Sequence, residues 1–324
     1  MSLFRLIVRA PALLAMSLFL ILIRLLVWPA ALVSESVDRR HSRALLQLWT
    51  RWFARLGGIR VRSTGTPPRR PFFLVANHLT YLDMLALCHV TGCLFVSRED
   101  VQHWPVLGVV ARSLRIIFVD RASRRDTVRV NALISRAMEM GEGVVVFPES
   151  HTSRGVDVDP FKTALIEPAC AAGVPVHYAT LNYETDPGCP PPGVVVLWWR
   201  PESFFYHLQR LLRLRGVTIH VHFGEEPLFD PDRKVLAPLL RDAVRAGRGG
   251  GVVHGSLLRI ELVAAGTGAR PAPLDVFVRL AAQGGRMLEV IGPVGVCVHH
   301  RRRPLHRVVI AAIVAGRSLS DGVL

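Results

Sequence analysis

The sequence predicts an α/β fold in which a mixed, largely parallel sheet is covered by helices and preceded by an N-terminal pair of membrane-associated helices. Three observations carry this reading. Short apolar runs of strand length alternate with helical stretches from Pro71 to Val146. Two of those runs, ending at Ala76 and Phe147, lead straight into polar, turn-forming segments, and strand ends are where such folds keep their sites. The first 33 residues are almost all apolar, and a basic amphipathic stretch follows them.

Ala10 to Ile23, then Arg24, then Leu25 to Val33 make an apolar segment long enough to cross a bilayer. The internal Arg costs about 2.5 to 3.5 kcal/mol on insertion scales, so a spanning helix and a half-buried interfacial helix both remain open. A cleaved signal peptide is disfavoured because the apolar run continues past ordinary h-region length. From Val37 to Leu56 the residues Leu45, Leu48, Trp49, Trp52, Phe53 and Leu56 recur at helical spacing, flanked by Arg39, Arg40, Arg43, Arg51 and Arg55. This reads as a membrane-surface helix on the cytoplasmic face of the inner membrane, the alternative being an ordinary helix packed on the core. Gly57-Gly58 ends it, and Thr66-Pro67-Pro68 breaks the chain before the main domain.

Pro71 to Ala76 is a buried-strand run, and Met84 to Cys88 continues as an apolar helix, which puts His78 at a strand-to-helix turn. Thr80 is expected to cap that helix, with Asp83 as the capping-box acid facing back toward the turn. A carboxylate on one imidazole nitrogen fixes the tautomer and leaves the other as a general base. Leu94 to Ser97 reads as a strand, Val101 to Leu114 as a helix broken near Pro105, Arg115 to Arg121 as a strand ending in charge, and Thr127 to Met140 as an amphipathic helix. Val144 to Phe147 is the next strand, followed by Pro148-Glu149-Ser150-His151-Thr152-Ser153-Arg154-Gly155. Val174 to Val176 and Val194 to Trp199 read as further strands around a turn-rich insertion, and Thr218 to Phe223 alternates with period two. Residues 247–324 change character: they hold no Lys, Asn, Tyr or Trp and a single aromatic, Phe277, and are expected to be a poorly ordered extension. The expected organisation is therefore 1–56 anchoring, 57–246 main domain, 247–324 extension.

A chain of 324 residues supports one main domain with appendages. A net charge of +15 points to nucleic acid, an anionic membrane or acidic substrates. No nucleic-acid reader motif accompanies the basic residues, which cluster where the chain is most apolar, so the membrane is favoured and nucleic acid is not expected. The five cysteines lack C-x-x-C spacing and the histidines lack H-E-x-x-H, so neither a metal nor another cofactor is expected.

Asn77-His78-x4-Asp83 followed by Phe147-Pro148-Glu149 and Ser153-Arg154 resembles the glycerolipid acyltransferases, the 1-acylglycerol-3-phosphate acyltransferase family, over roughly Phe72 to Leu228. The resemblance implies that His78 and Asp83 are catalytic and that Arg121, Glu149, Ser153 and Arg154 bind substrate, Arg121 by a planar fork suited to phosphate oxygens. It also implies transfer of an acyl group from acyl-CoA or acyl carrier protein to the free hydroxyl of 1-acylglycerol-3-phosphate, giving phosphatidic acid, with that lysophospholipid acceptor and an anionic membrane surface as partners. Ser150 and His151 depart from the family's Gly and Thr, which leaves a lyso-aminolipid such as lyso-ornithine lipid as an alternative acceptor. A non-catalytic lipid-binding protein on the same fold is the reading from another class. Ser150 and Ser153 have no G-x-S-x-G setting, so no acyl-enzyme is expected.

Overall fold

The structure is a computed structural model that describes residues 2–249, apart from Pro105, Val106, Arg121 and Ala122, together with four short strands beyond them. The chain divides into two compact units, Met1–Gly250 and Gly251–Leu324. In the second, Phe277–Arg279 pairs antiparallel with Glu289–Ile291, and Val296–Cys297 with Ala311–Ala312. The expectation of poor order in 247–324 otherwise lies outside the described residues.

The first unit is built on a seven-stranded sheet. Its strands are β1 (Ile59–Thr64), β2 (Phe72–Ala76), β3 (Leu94–Arg98), β4 (Ile117–Val119), β5 (Gly143–Val146), β6 (Val176–Thr185) and β7 (Val217–Phe223), in the spatial order β1-β7-β6-β2-β5-β3-β4. Neighbours are parallel except β6 and β7, so the sheet is mixed and largely parallel, as the sequence predicts. The helices are α1 (Leu3–Val33), α2 (Glu35–Gly57), α3 (Leu82–Thr91), α4 (Leu107–Ser113), α5 (Arg124–Glu139), α6 (Glu167–Ala171), α7 (Pro192–Val195), α8 (Phe204–Leu212) and α9 (Arg233–Ala246).

Side chains on β2 alternate between two cores, which is the period-two geometry of a strand buried on both faces. Phe72, Leu74 and Ala76 join a cluster with α1, α2, α3 and α8 on one face of the sheet. Phe73 and Val75 join a second cluster with α5, α6 and α9 on the other. β2 lies between β6 and β5, so it is central in the sheet and its C-terminal end is held from both sides.

α1 is long and apolar enough to cross a membrane by length and composition over Leu3–Pro29. Along one stripe, Leu6, Ala10, Leu13, Ser17 and Leu20 recur at helical spacing and pack on the first core. Arg9 Nη1 donates to the carbonyls of Leu212 (3.2 Å) and Leu214 (2.8 Å) at the end of α8, and Arg24 pairs with Asp38 of α2. The opposite side, including Phe4, Ile7, Leu18, Phe19, Leu22 and Leu26, is exposed. α2 likewise buries Leu45, Leu46, Phe53 and Ala54 against the core while Leu48 and Trp52 stay exposed beside Arg51 and Arg55. α2 is therefore a core helix that also keeps an outward apolar and basic face.

Two local expectations are corrected and one strand is added. Val194 to Trp199 is not a strand: Pro191-Pro192 starts the short helix α7, with Val196 N–H bonded to the Pro192 carbonyl at 2.8 Å, and the rest is loop. β1, unexpected from sequence, is an edge strand with Arg60 exposed, whose apolar signal rests on Ile59 and Val61 alone. Thr80 does not cap α3; Tyr81 stands at the N-cap without a side-chain bond.

Leu74 is fully buried in the central strand, so Leu74→Ala is expected to cost about 2–5 kcal/mol of unfolding free energy in chemical denaturation. The exposed Val128→Ala change on α5 should cost far less, within about 0.5 kcal/mol.

Candidate active site

The end of β2 is extended by a side chain. Asn77 Nδ2 donates to the Leu181 carbonyl at 3.0 Å and Leu181 N–H donates to Asn77 Oδ1 at 2.7 Å, so one amide mimics a strand pair with β6. This pins the backbone just before His78. The chain then turns, and Asp83 in the first turn of α3 reaches back as expected, although by a fuller set of bonds than a capping box. Its Oδ2 accepts from His78 Nδ1 (2.8 Å), Leu79 N (2.6 Å) and Thr80 N (2.9 Å). Its Oδ1 accepts from the hydroxyl of Tyr183 on β6. With backbone donors on Oδ2, the carboxylate is the acceptor and His78 Nδ1 carries the proton, which leaves Nε2 as the basic nitrogen. The imidazole is held from the side by Phe147, stacked at 4.2 Å between centroids and 21° between planes.

Glu149 is buried in the loop after β5 and braces the same turn. Its Oε1 accepts from His78 N–H at 2.6 Å and its Oε2 from Asp159 N–H at 2.9 Å. Ser153 is also buried, with its N–H on the His78 carbonyl at 2.9 Å and its hydroxyl accepting from Gly155 N–H at 3.3 Å. The backbone of His78 is thus clamped on both sides by residues expected to bind substrate, and their contacts in this structure are structural. Arg154 is exposed, its guanidinium 4.0 Å from the centre of the Trp199 ring, with Arg200 at 4.9 Å from the same ring. His151 is exposed and bonds Asp159 at 3.1 Å. Ser150 adopts φ +61°, the left-handed conformation that glycine takes without steric cost. Arg121 lies outside the described residues.

Beside the imidazole opens a cavity of about 250 Å³, walled by Trp49 and Phe53 of α2, Met84 and Leu85 of α3, Phe95 of β3, and Trp104, Ile116, Trp198 and Phe204. His78, His151 and Thr152 stand among its lining. A histidine base at the wall of a largely apolar cavity is suited to chemistry on the head of a hydrocarbon chain. Sequence reasoning missed Tyr183, Trp104, Trp198 and Phe204. Tyr183 is 100 positions from Asp83, and no local pattern marks such a pair.

Burial pushes the Glu149 carboxyl up to about 7; the negative charges of Asp159 and Asp83 add to this, and the His78 and Asp159 N–H groups oppose it. An acid whose pKa is raised in the folded state contributes stability in its protonated form, and that contribution is lost as pH rises from about 4.5 through about 7. Glu149→Gln removes the titration. Its stability relative to wild type should therefore improve between pH 5 and pH 8, by an amount of order 3 kcal/mol at most, in denaturant melts at the two pH values.

The acyltransferase family matches residues 58–180, which include both polar clusters. A lyso-ornithine lipid O-acyltransferase of Brucella abortus is 32% identical over 225 residues, 63% of this chain and 81% of that protein. A 1-acyl-sn-glycerol-3-phosphate acyltransferase of Neisseria meningitidis is 27% identical over 216 residues, 64% of this chain and 81% of that protein. The crystal structure of the 1-acyl-sn-glycerophosphate acyltransferase of Thermotoga maritima overlaps 75% of this chain and 99% of its own, with TM-score 0.49 and 18% identity. With this identity to the Brucella protein sustained over four fifths of its length, and with His78, Asp83 and Glu149 inside the matched segment, the chain belongs to the acyltransferase family.

Proposed function

We propose that the protein is a membrane-associated O-acyltransferase that moves an acyl group from acyl-CoA or acyl carrier protein to the free hydroxyl of a lysolipid. The observation that carries this is the His78–Asp83 pair at the wall of the apolar cavity. His78 Nε2 takes the hydroxyl proton as that oxygen attacks the thioester carbonyl; the C–S bond then breaks, and the imidazolium returns the proton to the leaving thiolate. General base catalysis of this kind contributes roughly 10² to 10⁴-fold. Holding the two substrates together must supply much of the remainder.

The acceptor is proposed to be lyso-ornithine lipid. The relatives named for that activity in Brucella abortus, Rhizobium meliloti and Pseudomonas aeruginosa are each 32% identical, against 27% for the Neisseria phosphate-lipid enzymes. The loop after β5 also carries both signs of charge: Arg154 is exposed, Asp157 pairs with Arg245 at 2.8 Å, and Asp159 bonds His151 at 3.1 Å. A head group with one carboxylate and one ammonium suits such a mixture of charges. Lysophosphatidic acid, giving phosphatidic acid, is the second reading. It is supported by Arg121, which matches the phosphate-binding position of the family, and by the Neisseria relatives.

The exposed apolar side of α1 and the outward face of α2 are proposed to sit in the head-group and acyl boundary of the cytoplasmic leaflet. Arg9 ties α1 to the end of α8 and Arg24 ties it to α2, so α1 runs along the domain, an arrangement that favours the interfacial over the spanning alternative.

His78→Ala is expected to lower turnover by roughly 10² to 10⁴-fold, with a lower melting temperature from the bond lost to Asp83 but a circular dichroism spectrum that still reports folded protein, and Asp83→Asn by a smaller factor. Near wild-type acyl transfer by a folded His78→Ala protein would overturn His78 as the base, whereas a wild type that transfers no acyl group to any lysolipid would point to the lipid-binding alternative. In a panel assay with labelled acyl-CoA, the wild type should acylate lyso-ornithine lipid with a higher kcat/KM than lysophosphatidic acid; the opposite order would restore the phosphate reading and predict that Arg121→Lys raises KM for lysophosphatidic acid. Phe19→Asp with Leu22→Asp, on the exposed side of α1, should release the protein from anionic vesicles at high salt while leaving it folded.

A further inference from the structure

Tyr183 belongs to β6, opposite Ile219 of β7, and its ring packs in the core on the face shared with α2 and α3. Its hydroxyl donates to Asp83 Oδ1 and, among the described residues, is the donor that oxygen has, while Oδ2 holds His78 and two backbone N–H groups. Asp83 is fully buried, so an unbonded Oδ1 would meet no water. The phenol therefore acts on the carboxylate in two ways. It opposes rotation about the Asp83 Cβ–Cγ bond, which would carry Oδ2 away from His78 Nδ1. It also draws negative charge toward Oδ1, which limits the charge felt by the imidazole.

We propose that Tyr183 is a positioning residue of the acyl-transfer site, acting through Asp83 to fix the orientation of the His78 ring and to hold down its basicity. The proposal rests on the reading of His78 as the base and Asp83 as its orienting acid. It adds a contact from the sheet to a pair that otherwise belongs to one turn, and it explains why a tyrosine occupies an inward position of β6 beside the apolar Leu181 and Ala179. Burial first, and then the Asp83 charge, keep the phenol protonated well beyond its ordinary range, so it is a donor at every working pH.

Other groups near the pair are Glu149 on the His78 N–H, Asp159 bonded to Glu149, Tyr81 at the start of α3, and His207 of α8 bonded to Tyr81 at 3.1 Å. Because Glu149 itself titrates near neutrality, an activity profile alone would mix two groups. The test is a ¹³C NMR titration of His78 in histidine-labelled protein, assigned by the signal missing from His78→Ala, beside steady-state kinetics. Tyr183→Phe should lower kcat about tenfold with KM for donor and acceptor changed less than about twofold, and move the His78 midpoint up by about half a pH unit. Incorporation of 3-fluorotyrosine at 183 keeps the shape and strengthens the donor, so it should move the midpoint down, and it decides the matter if Tyr183→Phe does not fold. A midpoint that stays at the wild-type value in the folded variants, whatever happens to kcat, overturns the proposal. Retained activity in His78→Ala would instead sink the catalytic reading while leaving the NMR result to stand by itself.

Discussion

A carboxylate with no access to water governs this structure. Asp83 is buried among apolar side chains, and such a charge persists only if hydrogen bonds replace its hydration. The chain supplies those bonds from its own turn and from the sheet: His78, Leu79 and Thr80 on one oxygen, Tyr183 on the other. Satisfying the carboxylate and shaping the turn are thus the same event. The imidazole is delivered with its proton on Nδ1 because that is the arrangement in which the buried charge is fully bonded.

The surroundings of the pair are rigid for a related reason. Asn77 sews the end of β2 to β6, Glu149 and Ser153 hold the two backbone polar groups of His78, and Phe147 lies against the ring. Asn77 and Phe147 sit just past the ends of β2 and β5, and Glu149 and Ser153 in the loop that follows β5, where the parallel ladder stops and unpaired backbone groups need partners. The loop after β5 accepts a left-handed serine at 150 within this clamp. Such a conformation costs of order 1 kcal/mol for a residue with a Cβ and persists when its surroundings over-determine it.

The N-terminal helices complete the domain as well as flanking it. Trp49 and Phe53 of α2 wall the cavity beside His78, and Trp49 Nε1 donates to Ser17 of α1 at 3.1 Å. The face that would meet lipid and the face that closes the apolar cavity therefore belong to the same pair of helices. Arg24, costly within an apolar helix, is neutralised by Asp38 of α2, which also binds Arg115 at 2.8 Å in the segment before β4.

The sequence by itself determined the order of the elements from Phe72 through Val146, the turn carrying His78 and Asp83, the apolar N-terminal helix and the loop of Glu149 to Gly155. These are local properties: hydrophobic period, a glycine or proline stop, and polar residues clustered at the end of an apolar run. It misjudged Val194 to Trp199, because a run of valine and tryptophan suits a strand or a packed loop equally until Pro191-Pro192 is seen to start a helical turn. That Glu149 and Ser153 bond the His78 backbone is visible only once the loop after β5 is folded against the β2 turn. Tyr183, Trp198 and Phe204 gave no signal, since each acquires its role only when β6 and the α7–α8 region meet the β2 turn. Which side chains converge is decided by strand order, and strand order is set by the packing of the whole sheet between its helical layers, which no window of sequence contains.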